Sequence, residues 1–99
     1  MAEIRWTSEA ERWLRDIHDY IALDKPDAAV RTVRAIYEKV RLLSEFPELG
    51  YRYENARGQD IRILIYGHYR IAYLTKPDGN IEVLGVFHAA LDMDRYLLE

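Results

Sequence analysis

"IRILIYGHYRIAYL", residues 61–74, decides the fold. It divides into "IRILIY" (61–66) and "YRIAYL" (69–74), two β-rich runs joined by Gly67 and His68. A two-residue link with glycine first suits a type II′ turn, whose backbone twist matches that of the flanking strands. Pairing Tyr66 with Tyr69 then fixes which side chains share a face of the hairpin. Arg62, Leu64, Tyr66, Tyr69, Ile71 and Tyr73 fall on one side, and Ile61, Ile63, Ile65, Arg70, Ala72 and Leu74 on the other. Both sides are substantially apolar, so each needs a cover or marks a binding surface. Arg70 belongs to the more aliphatic side, where a guanidinium resists burial unless it is paired and hydrogen-bonded.

Downstream, "KPDGN" (76–80) reads as a second turn leading into "IEVLGVF" (81–87), so three consecutive strands form an antiparallel meander. "HAALDMDRYLLE" closes the chain as a short helix or tail. Upstream, "GYRYENARGQD" is polar, with a short strand candidate at 51–53. Before it the period changes to that of helices. Ser8 reads as an N-cap with Glu11 completing a capping box, followed by an apolar stripe through Ala10, Trp13, Leu14, Ile17, Tyr20 and Ile21. Pro26 ends that helix near Leu23 and is tolerated in the first turn of the next. The second helix spans 26–44, with Ala29, Val30, Val33, Ile36, Tyr37, Val40 and Leu43 on its stripe, and "EFPELG" stops it. "IRW" (4–6) is a short leading strand. Trp13, Ile17, Ile21, Val33, Ile36, Tyr37 and Val40 are the expected core between helices and sheet. The expected fold is α+β: an N-terminal helical hairpin on a small, mainly antiparallel sheet, in the order β-α-α-β-β-β.

Ninety-nine residues suit one domain, taken as 1–99, and a 49% hydrophobic content is enough to fill a core without staples. The absence of cysteine excludes disulfides and thiolate metal sites. The N-terminal stretch is charged and lacks the apolar region of a signal peptide, and no apolar run approaches the roughly 18–20 residues of a membrane span. The expected location is therefore the cytoplasm. A net charge of −3 disfavours non-specific nucleic-acid binding. The charge is uneven: residues 51–76 carry five basic and two acidic side chains, and residues 77–99 carry one and five.

The strings of common catalytic sites are missing: no phosphate loop, no dinucleotide fingerprint, no H-E-x-x-H and no nucleophile elbow. His18 borders the first helix stripe and His68 sits in a turn. His88 ends the last strand with Asp92 and Asp94 beyond it, too sparse a set for a metal but compatible with acid–base chemistry. No cofactor or metal is expected.

Four segments in this order, "YIALDKPDAA" (20–29), "FPELG" (46–50), "IRILIYGHYRIAYL" (61–74) and "VFHAALD" (86–92), resemble the RelE/ParE superfamily of type II toxin–antitoxin toxins over nearly the whole chain. The resemblance implies two helices packed on an antiparallel sheet and a cognate antitoxin, encoded nearby, that wraps the toxin in a hetero-oligomer. In the mRNA-cleaving, ribosome-dependent members, paired basic residues precede the hairpin and further basic residues stand near the C-terminus. Here Ile61 and Ile63 occupy the first positions and Ala89, Ala90 and Leu91 the second, leaving Arg70, His88 and Tyr96 as catalytic candidates. So few cations would stabilise the charge of phosphodiester cleavage poorly. The resemblance therefore leans to the ParE branch, whose members inhibit DNA gyrase by binding. Against the "H-G-x-R-D" ending common in that branch, this chain reads "HAALD". The alternatives are a ribosome-dependent endoribonuclease and a degenerate toxin retained for complex formation. The candidate partner surface comprises Arg62, Ile63, Ile65, Arg70, Tyr73, His88 and Asp92, with Arg70 meeting an antitoxin carboxylate and Asp92 taking that place in the free protein.

Overall fold

The computed structural model describes residues 2–54, 58–89, 91 and 93–97. Strand β1 (Ile4–Trp6) leads into helices α1 (Ser8–Ala22) and α2 (Pro26–Arg41), and a 3-10 turn (Leu42–Ser44) extends the latter. Four strands follow, β2 (Tyr51–Arg52), β3 (Asp60–Tyr66), β4 (Tyr69–Thr75) and β5 (Ile81–His88), and then the short helix α3 (Asp94–Leu97). The sheet runs in the order β1-β5-β4-β3-β2. Its pairs are antiparallel except β1 on β5, so the sheet is mixed, and its fifth strand, β2, falls on the short candidate at 51–53.

The hairpin forms in the expected register, Tyr66 opposite Tyr69. Gly67 takes φ 57°, and among the described residues no other residue type has positive φ, in keeping with a turn whose first position alone is left-handed. The cap of α1 differs from expectation. Thr7, not Ser8, is the N-cap of α1: its Oγ1 accepts from the Ala10 N–H at 3.0 Å and its hydroxyl donates to the Val83 carbonyl at 3.0 Å. The cause is β1. Thr7 N–H also bonds the Val83 carbonyl at 3.1 Å, so Thr7 is the last residue held by the sheet and the first free to cap.

The helices cover one face of the sheet. Ala10, Leu14, Ile36, Val40 and Leu43 are buried there against Leu64, Ile71, Tyr73, Ile81, Val83 and Val86. Trp13, Ile17 and Val33 pack at the margin of this cluster, half-buried. Ile21 is half-buried, whereas Tyr37 is 41% exposed with its ring against Trp6 at 4.6 Å, and Tyr20 of the expected α1 stripe points to solvent at 78% exposure.

A bulge in β5 sets the second face. Ala72 pairs with Gly85 but Tyr73 pairs with Val83, which leaves Leu84 as the extra residue. Strict alternation from Ile81 and Val83 would send Phe87 toward the helices. The bulge reverses the phase, so Val86 enters the helix-side core while Phe87 joins Ile63 and Ala72 on the opposite face. Gly85 completes the arrangement, since a Cβ there would collide with the Phe87 ring. Leu91, Met93 and Leu97 pack over this second cluster, and Trp13 reaches it from α1. The chain's own C-terminal segment thus covers part of the face for which an antitoxin was the expected cover.

Candidate functional site

Beyond that cover, the second face remains open at the hairpin. Ile65 stands opposite Arg70 and is 49% exposed. Strand β2 brings Tyr51 opposite Ile63, and thus onto the same face. Arg70 is half-buried and donates from Nη1 to the Tyr51 hydroxyl at 3.1 Å. Among the described residues no carboxylate pairs with it. Asp92, its expected intramolecular partner, lies outside the described residues. Ile65, Tyr51 and Arg70 therefore form an apolar patch edged by a guanidinium with donors to spare.

Arg62 and Tyr73 do different work. Tyr73 is fully buried; its hydroxyl accepts from the Gly50 N–H at 2.9 Å and donates to the Pro47 carbonyl at 2.7 Å. Arg62 donates from Nη1 to the Gly50 carbonyl at 3.0 Å and lies 3.6 Å from Asp60. Gly50 is seated so closely that a Cβ would stand 2.7 Å from the Ile63 carbonyl oxygen. These bonds strap the "FPELG" loop to the sheet. Burial pushes the Tyr73 phenol above its ordinary pKa, an effect that the Gly50 N–H and the Arg62 charge partly offset. Ile63, 1% exposed, and Tyr73, fully buried, present no surface to a partner.

The three catalytic candidates do not converge. Arg70 stands opposite Phe87, and Tyr96 lies against the same ring at 5.8 Å and against Trp13 at 5.0 Å. His88 is opposite Tyr69, on the alternate face of the sheet, where its ring stands 6.1 Å from both Tyr69 and His68. Arg70 and His88 therefore point to opposite sides. Among the described residues no cluster of three or more His, Cys, Asp or Glu is placed to hold a metal, and no helix is long and apolar enough to cross a membrane.

The family described as "ParE toxin of type II toxin-antitoxin system, parDE" matches residues 4–93. The chain belongs to the ParE toxin family. A relative from Sinorhizobium fredii (strain NBRC 101917 / NGR234), named "Putative toxin Y4kP", is 40% identical over 88 residues, covering 87% of this chain and 86% of its own. A solved chain of the chromosomal ParDE toxin–antitoxin system from P. aeruginosa superposes with a TM-score of 0.73 at 22% identity, over 89% of this chain and 96% of its own. That likeness establishes the shared fold.

Within this ParE-family chain, two side chains of the site went unforeseen. Tyr51 holds Arg70, and Tyr53 packs on the Phe87 cluster with a buried hydroxyl that has no hydrogen-bond partner among the described residues. Their signal is the alternation in "YRY" (51–53): once that segment pairs with β3, both tyrosines must face the Arg70 side.

Proposed function

We propose that this ParE-family toxin acts by binding rather than by cutting, that DNA gyrase is its target, and that a cognate antitoxin encoded beside it holds it inactive. The observation that carries this reading is the separation of Arg70 from His88 across the sheet. Phosphodiester cleavage needs a proton acceptor and a cation around one scissile group. Here those groups face opposite ways, and the positions that would add cations are the buried Ile61 and Ile63. The patch of Ile65, Tyr51 and Arg70 suits a protein partner instead: apolar side chains seat on Ile65, and a carboxylate takes the unused donors of Arg70.

The test sets a gyrase supercoiling assay beside a translation-dependent mRNA cleavage assay. Inhibited supercoiling, relieved by the antitoxin, is the expected result. Message cleavage that is lost in Arg70→Ala but kept in a surface control would overturn the reading in favour of a ribonuclease. Inactivity in both assays would leave a chain retained for complex formation. Arg70→Ala is expected to weaken antitoxin binding by a few kcal/mol with little change in Tm. Unaltered affinity with a collapsed Tm would make Arg70 a structural residue.

A further inference from the structure

Where α1 turns into α2, the tip of the helical pair carries the two most exposed large apolar side chains among the described residues, Leu23 at 86% and Tyr20 at 78%. Three positions apart, they share one side of the end of α1. Around them residues 16–27 hold four exposed carboxylates, Asp16, Asp19, Asp24 and Asp27, against one ammonium, Lys25. The tip is thus an apolar knob in an acidic setting. A hollow of about 570 Å³ lies elsewhere, between α2 and the end of β3. Its floor is apolar: Ala35, the Tyr66 ring and Leu42, itself 46% exposed. Its rim is basic, with Arg31, Arg34 and Lys39 against one carboxylate, Glu38. Among the described residues these three cations have no ion-pair or hydrogen-bond partner, and neither do the side chains of Asp16, Asp24 and Asp27; Asp19 meets His18 Nδ1 at 3.0 Å. One chain cannot bring its own tip to its own hollow. The turn is locked by the Asp24 and Lys25 N–H groups on the Ile21 carbonyl, at 3.1 and 2.8 Å, and both patches ride on one packed helical pair.

We propose that copies of this chain associate head to tail, the tip of one seated in the α2–β3 hollow of the next. Tyr20 and Leu23 bury apolar surface on Leu42, Ala35 and Tyr66, and the carboxylates around them reach the free guanidinium groups of Arg31 and Arg34, whose planar forks take carboxylates bidentately. The charge balance selects this pairing. Three uncompensated negative charges on the tip meet two positive ones on the rim, whereas tip against tip or hollow against hollow sets like charges together. The interface is therefore heterologous, and each copy keeps one free tip and one free hollow. Nucleic acid or an anionic membrane satisfies the arginines but is repelled by the acidic tip and leaves its apolar side chains in water. Two side chains and their rims make a small contact, so the association belongs to the range of about 10 µM to 1 mM. Neither patch includes Arg70 or its sheet face, and the inference stands whether or not gyrase is the target.

The experiment is sedimentation of the full chain, alone and as two variants. Tyr20→Glu with Leu23→Glu spoils the tip and keeps the hollow; Arg31→Glu with Arg34→Glu spoils the hollow and keeps the tip. All four positions are exposed, and circular dichroism checks that each variant is folded. Should the first not fold, Tyr20→Ser with Leu23→Ser takes its place, and Arg31→Gln with Arg34→Gln replaces the second. The wild-type average mass is expected to rise between about 10 µM and 1 mM, while each variant alone stays monomeric. Mixed in equal amounts, the two variants should form a dimer and nothing larger, because one intact tip then meets one intact hollow and both remaining patches are spoiled. A symmetric interface cannot give that result. Three outcomes would overturn the proposal: a wild type that stays monomeric to about 1 mM; a folded variant that self-associates as the wild type does; or a mixture of folded variants that forms no dimer.

Discussion

Replacing Tyr73 by phenylalanine isolates the strap that holds the "FPELG" loop. The ring stays buried, so little packing is lost. What disappears is one hydrogen bond from Gly50 N–H at 2.9 Å and one to the Pro47 carbonyl at 2.7 Å. Each such bond contributes about 0.5–1.5 kcal/mol net, and a buried donor left unpaired costs more, so Tyr73→Phe should destabilise by about 1.5–3 kcal/mol. For a domain of this size that lowers Tm by about 6–24 °C. Urea melts should show a lower midpoint at unchanged m, because the surface exposed on unfolding is the same. The same residue carries a pH signature. In the unfolded chain the phenol ionises near 10.0, whereas burial raises its pKa in the fold. Between those two values the folded state binds the extra proton, so stability falls as pH rises above about 10 and is unaffected below it. Tyr73→Phe should remove that part of the alkaline loss. A cost below about 0.5 kcal/mol, with the alkaline loss intact, would refute the strap.

Ile36 is fully buried, and Ile36→Ala should cost about 2–5 kcal/mol in denaturant melts; a loss under about 0.5 would mean that α2 does not pack as described. Thr7→Ala should cost about 0.5–2 kcal/mol while Ser8→Ala changes little, and the reverse order would return the cap to Ser8. Gly85→Ala should cost about 1–3 kcal/mol through the displaced Phe87 ring and should alter near-ultraviolet dichroism from Trp13, 4.9 Å away; an unchanged spectrum and melt would show that the ring has room to spare.

The parts of the fold that local rules govern could be read directly. Gly67-His68 fixes the hairpin, and the period-2 alternation of 61–74 then fixes both of its faces, because a one-residue slip would invert every side chain. The helices follow from their stripes and from Pro26. What eluded the sequence depends on contacts between distant segments. The cap at Thr7 rests on the Val83 carbonyl, 76 residues away. The bulge at Leu84 has Gly85 as its one local mark, since "IEVLGVF" is otherwise apolar enough to satisfy either phase. The register with β4 and the crowding of Phe87 on Gly85 show which phase holds.

The same distinction explains the site. Arg70 stands out in an aliphatic strand, so its position could be read; its partner could not, because Tyr51 belongs to a two-residue strand too short to show a period. Tyr73 and Arg62 share the hairpin face with Leu64 and Ile71, and nothing local separates side chains that bind a loop from those that merely fill the core. Placing them changes the chemistry available. Arg62 is spent on the Gly50 carbonyl and Asp60 and His88 is turned to the other face, so of the catalytic candidates only Tyr96, packed on the Phe87 ring, shares the side of Arg70. An arginine with spare donors, held by a tyrosine hydroxyl at the edge of an exposed isoleucine, can still pair strongly with a carboxylate. That asymmetry is the physical reason for favouring recognition over cleavage in this member of the ParE family.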